Sequence, residues 1–227
     1  MSWADFLDNF ANWDSLVQSQ ALLLQGLRLT VLLAAVSLPL GLGAGLAVAL
    51  ICGAGGRWLR RAVIVAIDLL RAFPVIVLLI LIFYGLPFLG VRLSGFAATV
   101  LALVLNNAAY YGEIFRAGLE AVPSGQTEAA RALGLRHLPS IRLVLLPQAF
   151  RRVIAPLASN SLELVKETSV AAMVALPELL RSARVAQEQT YNPTPLIAAA
   201  VIYAVLLWPL ARLTARLERR MLTREAR

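Results

Sequence analysis

Residues 128–134 read Glu-Ala-Ala-Arg-Ala-Leu-Gly, and Pro147 follows thirteen positions later. This stretch is short, charged and rich in strong helix formers, and it lies between two long apolar runs. Gly134 suits the left-handed conformation in which many helices end. The pattern predicts a helix from about Gln126 to Leu133, held between membrane spans, that offers a docking surface to something outside the bilayer.

The composition of the whole chain is that of a membrane protein. Hydrophobic residues make up 59% of the 227 residues, and the mean hydropathy is +0.75, well above that of soluble domains. Because the backbone must satisfy its own hydrogen bonds in lipid, the long apolar runs predict an all-α integral membrane protein. Five transmembrane helices are predicted, with approximate bounds 29–51, 62–84, 96–115, a fourth that starts near 145, and 196–211.

The distribution of arginine orients these spans. Fifteen arginines lie on one predicted face, within 57–61, 116–152 and 212–227. Four lie on the other face: Arg28, Arg92, Arg181 and Arg184. Because loops rich in arginine stay in the cytoplasm, we predict an external N-terminus, a cytoplasmic C-terminus and a cytoplasmic segment around Glu128.

The first residues do not have the basic start of a cleavable signal peptide. They combine acidic residues with five large apolar side chains: Trp3, Phe6, Leu7, Phe10 and Trp13. Tryptophan is favoured at the headgroup layer of a membrane. Residues 1–21 are therefore predicted to form an interfacial segment.

Residue counts disfavour several kinds of site. The net charge of +8 comes from arginines at span ends without interleaved aromatic residues, which argues against nucleic-acid binding. Cys52 and His137 are the only cysteine and histidine, so we predict no metal site and no catalytic residues. Lys166 is the only lysine and lies in an apolar region, so the chain has no Gly-rich phosphate-binding loop.

The predicted short helix has a face suited to insertion into a partner's groove. Ala129, Ala130 and Leu133 are small enough to enter a groove, and Glu128 and Arg131 can fix the orientation. For a generic loop, an amphipathic helix that lies on the membrane is the alternative. The predicted docking residues are Gly125, Glu128, Ala129, Ala130, Leu133 and Gly134.

The order of residues around this helix resembles a known family. Gly-Gln-Thr-Glu-Ala-Ala-Arg-Ala-Leu-Gly at 125–134, with Leu-Pro-Gln-Ala at 146–149, resembles the EAA loop of type I ABC transporter permeases. Four further stretches are similar to the polar amino acid uptake branch: 83–86, 109–118, 164–169 and 217–220. The resemblance covers roughly residues 22–220. Phe73 departs from it, because family members commonly carry a smaller residue there.

This resemblance implies the type I ABC importer permease fold, with five transmembrane helices and a cytoplasmic coupling helix between spans three and four. It divides the chain into an interfacial segment (1–21), a type I transmembrane domain (22–217) and a cytoplasmic basic tail (218–227). It also implies a transport subunit without enzyme activity, surrounded by lipid in the bacterial inner membrane.

The resemblance further implies three protein partners. They are an ABC ATPase dimer that binds ATP and Mg, a second permease subunit that is identical or a sister chain, and an extracytoplasmic amino-acid-binding protein. The chain itself is expected to hold no cofactor. Closure of the ATPase dimer is expected to draw the coupling helices together and rock the spans between two packed states.

Polar side chains in the spans are the candidates for the substrate path, because such residues are costly in lipid. The candidates are Asn106, Asn107, Tyr110, Asn160, Glu163, Lys166, Glu167, Thr168 and Ser169. Structural alternatives stay open, since the asparagines can bond between helices and Glu163 can pair with Lys166. The cargo also stays open: Glu163 and Glu167 favour a cationic amino acid, whereas 109–118 is similar to acidic amino acid permeases.

Two further pairs have the i,i+3 spacing of structural ion pairs: Asp68 with Arg71, and Glu113 with Arg116. Other functions fit the sequence less well. A permease for another small polar solute remains an alternative, whereas an ion-coupled secondary carrier would leave the docking helix without a partner and usually shows an inverted repeat. An intramembrane enzyme would need a nucleophile or a metal set.

Overall fold

The computed structural model describes residues 9–54 and 56–225. Every regular element in these ranges is helical, as the composition predicts. The α-helices are α1 Trp13–Ala54, α2 Arg57–Ala72, α3 Val75–Ile80, α4 Gly95–Glu120, α5 Ser124–Ala132, α6 His137–Ser140, α7 Leu146–Glu167, α8 Leu179–Thr190 and α9 Thr194–Glu225. The ranges also contain π-helical segments at Leu81–Gly85 and Ile141–Leu145, and 3₁₀ segments at Leu86–Leu89 and Thr168–Val174.

The longest apolar helices are α1 and α9. Within the described ranges, Trp13–Gly53 and Thr194–Arg219 are long and apolar enough to cross a membrane. Arg57–Ala72 and Val75–Leu89 add a third span if they are counted together. The helix α4 does not reach the same hydropathy, because Asn106, Asn107 and two tyrosines interrupt its apolar run.

The N-terminal part of α1 extends into the predicted interfacial segment. The helix begins at Trp13, whose side chain is exposed, and continues without a break into the first predicted span. Trp3, Phe6 and Leu7 of that segment lie outside the described residues. Residues 13–21 of the segment therefore form one helix with the first span.

The predicted second span, residues 62–84, is not a single helix, which corrects the prediction. Helix α2 ends at Ala72, and Phe73 has extended angles (φ −85°, ψ 129°). Pro74 follows with φ −58° and ψ 136°, and α3 begins at Val75. Proline lacks an amide hydrogen and disfavours helical geometry in the residue before it, so the helix stops at this point.

The described residues fall into two compact units, each built from distant parts of the chain. The first holds the residues up to Pro39, then Pro74–Val104 and Glu163–Leu210; the second holds Leu40–Phe73, Leu105–Leu162 and the residues from Ala211. In the first, buried Leu23, Leu179, Ala183 and Ala199 join α1, α8 and α9. In the second, buried Cys52, Ile67 and Ala109 join α1, α2 and α4.

Glycines allow α1 to approach α4 closely within the second unit. A Cβ atom added to Gly45 would lie 2.9 Å from the backbone nitrogen of Gly112, which cannot move aside without shifting the helix. One added to Gly41 would lie 3.3 Å from the Tyr111 ring, whereas Gly43 has no such neighbour within 4 Å. Small residues at this spacing along an apolar run let a second helix come near, and α4 does so at Gly41 and Gly45.

Replacing Gly45 with leucine is expected to destabilise the protein by forcing α1 away from α4. Overpacking of this kind costs about 1–3 kcal/mol, which corresponds to a melting temperature lower by roughly 2–10 °C. Heating in detergent followed by size-exclusion chromatography measures the change. Gly43→Leu, two residues away on the same helix, is the matched control and should melt like the wild type. Equal melting of both variants would show that the close contact does not form.

Candidate functional site

The charged segment around Glu128 forms α5, and its exposed face is the first candidate site. Pro123 precedes the helix, and the amide of Leu133 donates to the Ala129 carbonyl at 3.1 Å where the helix ends. Gly134 has φ +79°, the left-handed angle that was predicted for it. Five predicted docking residues are exposed: Gly125, Glu128, Ala129, Leu133 and Gly134.

Ala130 differs from the other predicted docking residues. Its side chain is only 2% exposed, so it packs within the chain and not on the open face of α5. Leu133, in contrast, is 82% exposed. A large apolar side chain left open on the same short segment as the exposed carboxylate of Glu128 is compatible with a surface that a partner protein covers.

A side-chain hydrogen bond holds α5 against the start of α7, and a backbone hydrogen bond closes the end of α5. The Gln148 amide nitrogen Nε2 donates to Gln126 Oε1 at 3.2 Å and to the Val144 carbonyl at 3.0 Å. The amide of Leu135 donates to the Ala130 carbonyl at 3.1 Å. The sequence analysis gave Gln126 and Gln148 no role. The signal for their contact was a polar glutamine directly after Pro147, in the first turn of a helix.

Asn106 supports the break between α2 and α3. Its Nδ2 donates to the carbonyls of Leu70 (3.3 Å) and Phe73 (3.2 Å), at the end of α2. These carbonyls have no helical partner because the helix stops there. Asn106 is 3% exposed and bonds to a neighbouring helix, which is the structural alternative to a role in the substrate path.

The other predicted polar residues of α4 bond to neighbouring helices of the second unit. Asn160 Nδ2 donates to Asn107 Oδ1 at 2.9 Å, which joins α7 to α4. Tyr111 and Ser161 share a hydrogen bond of 3.0 Å between the same helices. The Tyr110 hydroxyl donates to the Arg71 carbonyl at 3.4 Å. Sequence reasoning brought out Asn107, Asn160 and Tyr110, and it missed the Tyr111 contact.

The candidates at the end of α7 lie in the first unit. Lys166 Nζ and Glu163 Oε1 form an ion pair of 2.7 Å, as their spacing allows, and both side chains are about half exposed. The Thr168 and Ser169 hydroxyls donate to the carbonyls of Val165 (2.7 Å) and Lys166 (2.9 Å). These hydroxyls therefore satisfy the last carbonyls of α7. Glu167 also has an interaction partner.

The two predicted structural pairs have different outcomes. Arg116 Nε donates to Glu113 Oε2 at 2.9 Å, as the spacing predicts. The pair Asp68–Arg71 is absent from the ion pairs of the described residues, which corrects that prediction. The Arg71 guanidinium lies 5.2 Å from the centre of the Tyr110 ring, and this cation–π contact takes the place of the ion pair.

Sequence reasoning missed a buried carboxylate, Glu178. Its side chain is 0% exposed and caps the start of α8, where it accepts hydrogen bonds from the amides of Leu180 (2.9 Å) and Arg181 (2.8 Å). The Tyr203 hydroxyl of α9 donates to it at 3.0 Å. Burial raises the pKa of Glu178 above its usual range, against the opposing effect of these hydrogen bonds.

Contacts around Glu178 tie three helices of the first unit together. Thr30 of α1 accepts a hydrogen bond from the Leu179 amide at 3.1 Å. A Cβ atom added to Gly26 would lie 2.8 Å from Leu179 Cα, so α1 and α8 are in close contact. The sequence signal for this site was an acidic residue directly before a helix, a position that favours carboxylates.

The helices and their buried polar contacts define the class: this is a multi-pass α-helical membrane protein. The chain belongs to the family of binding-protein-dependent transport system inner membrane components, whose family model matches residues 45–223. Its members are permease subunits of ABC transporters, and the ATPase is a separate chain.

Individual relatives share most of their length with this chain. The arginine transport system permease protein of Bacillus subtilis (strain 168) is 35% identical over 201 residues, which cover 88% of this chain and 92% of the relative. The L-cystine transport system permease protein of the same organism is 35% identical over 212 residues, 92% and 91% of the two chains. A crystal structure of an amino acid ABC transporter with histidines has 34% identity and a TM-score of 0.84, and covers 91% of this chain and 97% of its own.

Proposed function

We propose that this chain is the permease subunit of an ATP-driven, binding-protein-dependent importer for polar amino acids. The observation that carries the proposal is the exposed, charged helix α5 inside a chain of this family, with Glu128 and Leu133 open to solvent. The relatives support the cargo class, because the names of two specify arginine and L-cystine and the solved transporter carries amino acids.

The membrane arrangement that fits this proposal has five spans. Helices α1 and α9 supply the first and last, residues 57–89 supply the second with its break at Pro74, and α4 and α7 supply the third and fourth. Polar residues in α4 and α7 bond to each other, so these helices can lie in lipid despite their lower hydropathy. The arginine bias supports an orientation with the N-terminus outside and α5 in the cytoplasm.

In this proposal, α5 is the coupling helix and a separate ATPase supplies the energy. The ATPase dimer would bind ATP and Mg, and each ATPase subunit would hold the exposed face of one coupling helix. A second permease, identical or a sister chain, and an external binding protein would complete the importer. The single lysine, Lys166, gives this chain no phosphate-binding loop of its own.

The substrate path would run past the polar residues of α4 and α7. Asn107 and Asn160 already bond to each other across these helices, and Glu163 and Lys166 are half-exposed charges of opposite sign. Opposite charges of this kind match the ammonium and carboxylate of an amino acid. Another small polar solute is the second candidate, because family membership alone does not fix the cargo.

A ligand screen on the cognate binding protein tests the cargo class. Thermal-shift measurements with amino acids, sugars and metal ions should give a stabilising response to one or more polar amino acids. Saturating ligand at 100 times its Kd stabilises a protein by about 2.7 kcal/mol, which such an assay resolves easily. A response to sugars alone would contradict the amino acid assignment and leave the permease role intact.

A further inference from the structure

Four charged side chains form an unbroken chain of ion pairs at one end of the second unit. Arg60 of α2 contacts Glu120, the last residue of α4, at 3.2 Å. Arg116 contacts Glu120 at 2.6 Å and also pairs with Glu113, one turn earlier on α4. We call this set, Arg60–Glu120–Arg116–Glu113, the charge ladder. The sequence analysis predicted only the Glu113–Arg116 step, although Arg116 and Glu120 have the i,i+4 spacing of a helical ion pair.

One interior member of the ladder, Glu120, lies where the segment leading to α5 begins. Glu120 is separated from Ser124, the first residue of α5, by only three residues. Within that link, the Ala121 amide donates to the Ala117 carbonyl at 2.9 Å, and Val122 is buried. Pro123 has a fixed φ of −57°. Because this link is short and conformationally constrained, a displacement of α5 is expected to move Glu120 as well.

The contact between Arg60 and Glu120 joins the end of α4 to the first turn of α2. Both side chains are about half exposed (50% and 53%), and such pairs contribute little to folding stability. Arg116 is more enclosed, at 26%, and bonds to carboxylates on both sides of it along α4. This geometry makes Glu120 a shared partner through which α2 and α4 move together.

We propose that the charge ladder transmits the movement of α5 to α2, and that Arg60 and Glu120 are positioning residues for energy coupling. The inference rests on the proposed function, because it assumes that an ATPase displaces α5. The break at Pro74 ends α2, so α2 is a short rigid helix of 16 residues that can follow Glu120 as one body. Arg57, three residues before Arg60 in the first turn of α2, has no part in the ladder.

A double-mutant cycle tests this proposal in the full complex reconstituted in liposomes. The variants are Arg60→Ala, Glu120→Gln and the combination, and the readout is amino acid transported per ATP hydrolysed. Each single variant should lower this ratio by about two- to fivefold, the size that loss of one partly exposed ion pair can produce. The combination should be no worse than either single variant, because both changes break the same contact.

Two further variants separate a coupling role from a general loss of charge. The Arg60–Glu120 contact uses a single guanidinium nitrogen, so the ammonium group of Arg60→Lys can replace it. This variant should therefore keep the ratio of transport to ATP hydrolysis near that of the wild type. Arg57→Ala removes the same charge from the same turn of α2, and should leave the ratio unchanged. Additive losses in the combination, or an unaltered ratio in Arg60→Ala, would overturn the proposal. Absence of ATP-driven uptake in the wild type would instead overturn the proposed function itself.

Discussion

Replacing Glu178 with alanine is expected to lower the melting temperature of the protein by roughly 10 °C. The change leaves the amides of Leu180 and Arg181 and the Tyr203 hydroxyl without their acceptor in a buried site. Each of these three groups costs about 1–3 kcal/mol when it lacks a partner, so the total is about 3–9 kcal/mol, and the lower end of that range corresponds to roughly 10 °C. Detergent-solubilised protein, heated and followed by near-UV circular dichroism, gives the measurement.

Glu188 offers a matched control for this prediction. It lies on the same helix, α8, and its side chain is exposed. Glu188→Ala should shift the melting temperature by no more than about 2 °C, as surface substitutions usually do. Similar shifts in the two variants would show that the Glu178 carboxylate does not hold α1, α8 and α9 together.

The raised pKa of Glu178 makes its contribution depend on pH. Because the folded state raises the pKa, folding favours the protonated carboxyl, and this contribution is lost as the pH rises through the folded-state value. Acidification from pH 8 to pH 5 should therefore favour the wild type over Glu178→Gln, whose side chain does not titrate. A wild-type advantage that shrinks on acidification would contradict the raised pKa.

Reversing the charge of Glu128 is expected to reduce co-purification of the ATPase by at least about tenfold, or ~1.4 kcal/mol. Glu128 is exposed on α5, so lysine there would place a positive charge against the ATPase surface that, in the proposed complex, accommodates a carboxylate. Quantitative pull-down of the ATPase with tagged permease measures the loss.

Ala130→Trp acts on the same helix by a different route. Ala130 is 2% exposed, so a large side chain must displace α5 from its position while leaving Glu128 chemically unaltered. Uptake should fall with this variant as well. Glu188→Lys makes the same charge reversal at an exposed position of α8, a helix predicted to lie outside, and should retain the ATPase. Normal assembly and transport by both α5 variants would refute docking through α5.

The features that the sequence predicted correctly depend on local patterns. Apolar runs predicted helices, Gly134 predicted the left-handed end of α5, and Glu113 and Arg116 pair as their spacing indicates. The close approach at Gly45 was also visible, because small residues spaced in this way along an apolar run let a second helix come near. Each of these signals involves residues only a few positions apart in the sequence, so local backbone geometry determines the structure that forms.

The features that were missed depend on contacts between distant residues. The break at Phe73–Pro74 had a local signal, yet the apolar run on both sides of it favoured one span. Neither the burial of Glu178 nor its bond to Tyr203 can be read from sequence, because the partners are 25 residues apart. Arg71 lies over Tyr110, a contact across 39 residues, and not beside Asp68.

Coupling of this chain to a separate ATPase is tested most directly by amino acid uptake into liposomes that contain the chain, its permease partner and the ATPase. Uptake should require ATP on the ATPase side and loaded binding protein on the other, should stop with vanadate, and should be lost in Glu128→Lys. Uptake by this chain without the ATPase, driven by an ion gradient and insensitive to Glu128→Lys, would contradict both the importer function and the role of α5.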